Sequence, residues 1–166
     1  MAVDLDAELD HGLALIEKSL SLNPNSSSAW VSSCFAHAYL GDPETALEHF
    51  AQAQRLNPLD TTHHVRWNAA GIAHFVAGRY EEASVAADKT LNEMPTYPPG
   101  LRLKAGACGV LGRTGEGRKY VQRLLAVNPT ANVHWQKIFW ERRMRRIPRV
   151  FEKLIDGLRV AGLPEK

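Results

Sequence analysis

Four prolines punctuate the chain at a near-constant interval. Pro24, Pro58, Pro95 and Pro129 stand 34, 37 and 34 residues apart, and three of them follow an asparagine (Asn23, Asn57, Asn128). Proline lacks a backbone N–H and its ring clashes within a helix, so each of these positions stops or starts a helix. A helix breaker recurring at this period is what a solenoid of one repeated supersecondary unit produces. Such arrays bury a core only between neighbouring repeats, and they offer surfaces to partners more than they perform chemistry.

The bulk properties fit a single domain of this kind. The 166 residues, 45% of them hydrophobic, can bury a sizeable core. No stretch approaches the ~20 apolar residues of a membrane helix. The first twenty residues carry Asp4, Asp6, Glu8, Asp10 and Glu17 against Lys18 alone, the wrong sign for a secretory or transit peptide. Cys34 and Cys108 fall in different periods and make no disulfide framework. They read as small buried thiols of a cytoplasmic protein. The net charge of +2 is unevenly spread: residues 1–128 hold 11 Lys+Arg and 14 Asp+Glu, residues 129–166 hold 9 and 4. An electrostatic partner would therefore be sought at the C-terminal end.

Each period reads as two helices. From Ser27 to Tyr39, Trp30, Cys34, Phe35 and Ala38 recur at helical spacing. Gly41-Asp42-Pro43 breaks that run, with glycine after one helix and proline in the first turn of the next. Ala46, Leu47, Phe50, Ala53 and Leu56 form one face of the second helix, which ends at Asn57-Pro58. The plan repeats from Trp67 through the Gly78-Arg79 turn to Met94, and from Leu101 through Gly112-Arg113 to Val127. The longer interval places three extra residues in the Leu59–His63 connection, where an insertion leaves the helices in register.

These residues resemble the tetratricopeptide repeat family. The matching positions are Trp30, Gly41, Ala46, Phe50, Ala53 and Pro58 in the first full copy, and Trp67, Ala70, Gly71, Gly78, Tyr80, Ala83 and Pro95 in the second. In the third, Gly112 and Pro129 match, whereas Leu101 replaces the tryptophan and Gly117 the small alanine. The resemblance covers residues 10–130 and implies an all-α, right-handed superhelical solenoid. Residues 1–26 are a partial repeat, 27–60, 64–97 and 98–131 full repeats, and 132–166 two capping helices broken near Pro148. A chain starting inside a repeat suggests a piece of a longer protein. The ending Val150–Glu165 resembles the last residues of bacterial multidomain regulators, in which such an array follows a class III nucleotide cyclase domain or a winged-helix DNA-binding domain.

Candidate chemistry is sparse. His37, His74 and Cys108 each lie four residues before a turn glycine, but equivalent positions on neighbouring helices are about 8–10 Å apart, too far for three zinc ligands. No metal and no cofactor is expected. Gly112–Lys119 is as glycine-rich as a phosphate loop, yet Arg118 separates lysine from the last glycine and the preceding segment is helical. Asn25-Ser26-Ser27 fits the glycosylation pattern, a common chance match. No nucleophile–base set or carboxylate pair stands out, so no catalysis is expected.

The resemblance implies a concave groove lined by the first helix of each repeat: Val31, Phe35 and Tyr39, then Asn68, Ile72 and Phe75, then Arg102 and Val110. The family's carboxylate-clamping set of lysine, arginine and asparagine is missing, and an apolar groove suits an amphipathic helix or an extended hydrophobic segment. The chain's own C-terminal helices could also fill it, and Gly106 and Gly109 would let a backbone approach closely. In the tail, Arg142, Arg143, Arg145, Arg146 and Arg149 interleave with Trp135, Phe139, Trp140 and Met144. That pattern fits a terminal cap with a polar outer face, and as alternatives an acidic partner or, less favoured, nucleic acid. The expectation is a protein–protein interaction module of a bacterial signalling protein. A structural role, including a homodimer through the N-terminal half-repeat, is the alternative from another class.

Overall fold

The computed structural model describes residues 5–58 and 62–166, which form an all-α solenoid. The inserted connection expected at Leu59–His63 lies largely outside the described residues. Nine helices follow one another among the described residues: α1 (Leu5–Leu22), α2 (Ser27–Leu40), α3 (Pro43–Leu56), α4 (His63–Val76), α5 (Tyr80–Glu93), α6 (Pro98–Val110), α7 (Thr114–Val127), α8 (Val133–Met144) and α9 (Pro148–Val160). The pairs α2/α3, α4/α5 and α6/α7 are hairpins, and α4 and α6 each stack on the pair before them.

Local chemistry sets these boundaries. Ser26 caps α2 by accepting from the Ala29 N–H, and Asp42 caps α3 by accepting from Thr45 N–H ahead of Pro43 in the first turn. Gly41, Gly78 and Gly112 all turn with φ between 73° and 86°, the left-handed region in which a side chain is strained. The array is cemented by small side chains: Cys34, Ala38, Ala46, Ala53, Ala73, Ala83, Ala87, Ala105 and Cys108 are fully buried. Short side chains let helix backbones approach, and the larger Phe75, Leu101 and Leu124 fill what remains.

Two buried cations knit repeats together. Arg66 donates from Nη1 to the carbonyls of Ala53 and Asn57 at 3.2 and 2.9 Å, satisfying the open C-terminal end of α3. Lys104 on α6 donates to Ser84 Oγ at 2.8 Å and pairs with Asp88 at 2.7 Å and Glu116 at 3.0 Å, tying α5, α6 and α7.

The last two helices depart from the repeat plan. It is α9, not α8, that stacks on α6, while α8 folds back toward α2. The α6/α9 crossing is a backbone contact. A Cβ on Gly109 would meet the Gly157 carbonyl oxygen at 1.8 Å, and one on Gly106 would meet Leu154 Cδ1 at 2.6 Å. The backbone that Gly106 and Gly109 admit is thus that of α9. The same helix explains Gly117, where a Cβ would lie 2.9 Å from Ala161 and 3.3 Å from Cys108. The C-terminal tail then returns to α8, whose first N–H groups, Val133 and His134, donate to the carbonyls of Pro164 and Glu165 at 2.7 and 3.2 Å.

Candidate interaction surface

The expected groove residues come from α2, α4 and α6; Tyr39, Ile72, Phe75 and Arg102 lie against α8, whereas Val110 faces α9. Asn68, Ile72 and Phe75 are buried, whereas Val31, Phe35, Tyr39, Arg102 and Val110 are half-buried. The Tyr39 ring meets Trp140 edge-on at 6.0 Å between centroids. A narrow apolar gap beneath α8 is lined by Ile72, Phe75, Arg102, Leu103, Trp140 and Met144. The chain's own Trp140, Met144 and Leu154 therefore cover the deep part of the groove.

Helix α8 presents two apolar faces. Val133, Gln136, Trp140 and Met144 point into the array, and Trp140 and Met144 are 5% and 1% exposed. Trp135, Ile138 and Phe139 lie on the other face and are 57%, 43% and 38% exposed. The tail aromatics are thus split, with Trp140 closing the array and Trp135 and Phe139 left in solvent. The Gln136 Oε1 and Trp140 Nε1 atoms are buried without a hydrogen-bond partner.

The basic residues of the tail also divide. Arg142 donates to Glu8 at 3.4 Å and Arg146 to Asp10 at 2.9 Å, joining α8 and the turn after it to α1. Arg146, hydrogen-bonded to Asp10, holds that carboxyl below its usual range. Arg145 and Arg149 are exposed beyond the end of α8. Arg143 instead donates to the Phe139 carbonyl at 2.9 Å and stacks its guanidinium 3.8 Å from the Phe139 ring centre. Arg102 stands over the same ring at 5.2 Å, with its Nε sealed from solvent and without a partner. Burial, partly offset by Tyr39 and Tyr97, holds the Arg102 pKa below the ordinary value. Sequence reasoning placed Arg102 in the groove and Arg143 in the tail; their meeting at Phe139 depends on the return of α8, which no period encodes.

The histidine and cysteine positions serve packing. His37 pairs with Asp42 at 3.4 Å and meets the His49 ring edge-on, while His49 Nδ1 hydrogen-bonds Ser33 Oγ at 2.9 Å. Burial pushes the Cys34 thiol up to about 12 and the Cys108 thiol to about 11, which keeps both as inert thiols. No group of three His, Cys, Asp or Glu among the described residues could hold a metal ion. Gly112–Lys119 is the α6–α7 turn and the first turns of α7. No helix of the described residues is long and apolar enough to cross a membrane.

Solved structures share this architecture. The chain is similar to the crystal structure of MamA, with a TM-score of 0.64 and 15% identity over 92% of this chain and 90% of that one. It is similar to TTC0263, a thermophilic TPR protein of Thermus thermophilus, with a TM-score of 0.66 and 17% identity over 93% and 84% of the two chains. At these identities the likeness is one of fold, and the fold is that of a tetratricopeptide-type array. No protein-family model and no curated protein matches the sequence.

Proposed function

We propose that the chain is a non-catalytic protein–protein interaction module that takes a peptide or protein segment on its concave side. The observation that carries this reading is the apolar rim left there. Half-buried Tyr39 of α2, with the Phe35 ring stacked on it, borders α8, whose outward face leaves Trp135, Ile138 and Phe139 between 38% and 57% exposed. Three large apolar side chains on one solvent-facing helical stripe are unnecessary for a cap and are what a partner would cover. The resemblance of Val150–Glu165 to the end of bacterial multidomain regulators supports a regulatory, cytoplasmic role within a larger signalling protein. Because Arg142 and Arg146 already pair with Glu8 and Asp10, the tail favours a protein over a polyphosphate backbone, which recruits many cations at once.

Affinity capture with the full chain, compared with a Phe35→Ala/Phe139→Ala variant, tests this. Both positions are partly exposed, unlike Phe75, whose truncation would test folding instead. Proteins retained by the wild type and lost by the variant are expected; identical retained sets would refute recognition on this face. A second reading, self-association through α1, is favoured by Leu15 and Leu22, which are 55% and 78% exposed. Light scattering tests it, and a monomer at high concentration would end it.

A further inference from the structure

We propose that Arg102, Phe139 and Arg143 form a receptor for an aspartate or glutamate side chain of an amphipathic peptide, whose apolar residues lie along Trp135 and Ile138. The proposal rests on the reading that the concave side takes a protein partner, and it names the chemistry of that partner.

Two guanidiniums converge on one aromatic ring, at 3.8 Å for Arg143 and 5.2 Å for Arg102. Neither has a carboxylate partner among the described residues, although Arg142, Arg146, Arg113, Arg159 and Arg79 all do. Withdrawing a cation from water without pairing it costs free energy, and a stacked ring returns only part of that. Like charges add to the cost, and Arg143 depresses the Arg102 pKa further. A carboxylate brought to Arg143 beside the ring would gain charge-assisted hydrogen bonds and offset the repulsion that Arg102 feels. There is room on the Arg143 side: an open recess of about 400 Å³ is lined by Glu8, Leu9, Arg142 and Arg143, whereas Arg102 lines the gap beneath α8. Glu8 is engaged by Arg142, which leaves Arg143 as the cation there without a carboxylate among the described residues.

The apolar half of the occupant follows from α8. Trp135, Ile138 and Phe139 stand at i, i+3 and i+4, so they form one ridge against which a partner's aliphatic or aromatic side chains can pack. A lipid headgroup layer fits less well, because Arg102 is recessed, with its Nε shut off from solvent. Nucleic acid fits less well because only two guanidiniums converge here, and the adjacent Arg142 and Arg146 are held by α1.

Selection of a phage-displayed random dodecapeptide library on the immobilised full chain tests the proposal. The enriched peptides are then titrated by fluorescence anisotropy against wild type, R143Q, R102M and W135A, with folding checked by circular dichroism. Enriched sequences should carry Asp or Glu next to aromatic or aliphatic residues. Arg143→Gln should weaken binding about tenfold or more, and changing the peptide's acid to its amide should weaken it no further in that variant. Arg143 is a partly exposed helix residue, so its replacement keeps the fold. Peptides without acids that are insensitive to R143Q and R102M but lost on Phe35→Ala would overturn this inference and leave the interaction module standing. If no peptide is enriched, or only anionic vesicles or single-stranded DNA bind, both readings fall.

Discussion

Replacing Gly109 by alanine adds one methyl group where two helices touch through their backbones. The new Cβ would sit 1.8 Å from the Gly157 carbonyl oxygen, 2.5 Å from its carbon and 2.8 Å from its Cα. Carbon and carbonyl oxygen come no closer than about 3.3 Å, so α9 must retreat by roughly 1.5 Å at that point. The obstacle is main chain, and no rotamer can relieve it. Leu154, Ile155 and Leu158 of α9 are 4%, 1% and 0% exposed. Burial of each is worth about 2 kcal/mol, and a gap of this size forfeits roughly a third to a half of it, about 2–3 kcal/mol in all. Alanine's better helix propensity returns about 1 kcal/mol. The net loss is about 1–2 kcal/mol, or a fall in Tm of about 3–6 °C for a chain of this length. Gly115 of α7 is the control, since a Cβ there has nothing within 4 Å. Gly115→Ala should raise stability by about 0.5 kcal/mol. Urea unfolding followed by far-ultraviolet circular dichroism reads both. A Gly109→Ala protein as stable as wild type would refute the backbone contact and with it the placement of α9.

The polar clusters give further tests. Arg102→Met should raise Tm by about 2–4 °C, because it exchanges a recessed, carboxylate-free cation for a thioether of similar length; a lower Tm would mean that the guanidinium stabilises the free protein. Lys104→Met should cost about 2 kcal/mol in urea unfolding by leaving Asp88 and Glu116 without their shared cation; an unchanged midpoint would show the ion pairs to be idle. Burial lowers the Lys104 pKa, but hydrogen bonds to Asp88 and Glu116 outweigh it and the net shift is upward, while the hydrogen bond from Lys104 lowers the Glu116 pKa. The cluster therefore stabilises fully between the ordinary values, 4.5 and 10.5; its contribution fades as pH falls through the depressed Glu116 pKa or rises through the elevated Lys104 pKa. Burial also lowers the pKa of His49 and His74, aided by His37 and Arg79 respectively. Both stabilise as neutral rings, so Tm should begin to decline as pH drops below 6.5, and His49→Gln should flatten that limb.

The repeating part of the fold was readable because its signals are local. Asn57-Pro58 and Asn128-Pro129 end helices through backbone geometry alone, and Ala46, Ala53 and Ala83 announce close helix contacts by their size. The two ends were less readable because they depend on contacts between distant segments. Trp135, Ile138, Phe139, Trp140 and Met144 surround α8 without one dominant apolar side, so no periodicity decides which of them turn inward. That choice falls to Tyr39, Phe75 and Leu103 on other helices. Arg66 and Lys104 carry no local sign of burial, because the carbonyls of α3 and the carboxylates of α5 and α7 that surround them come from other helices. The Arg102–Arg143 meeting was hidden for the same reason: its members are forty-one positions apart and in no shared register.

The pairing of Glu8 with Arg142 and of Asp10 with Arg146 joins residues 134 and 136 positions apart. An open stack of repeats behaves as a one-dimensional chain of coupled units that can unravel from either terminus independently. Here two ion pairs tie the first helix to the eighth and the turn after it, so fraying at one end removes support from the other. Among the described residues this clasp consists of exposed ion pairs, individually weak and weakened further by salt. Added salt should therefore weaken the link between the ends, and the unfolding transition should broaden from dilute buffer to high salt.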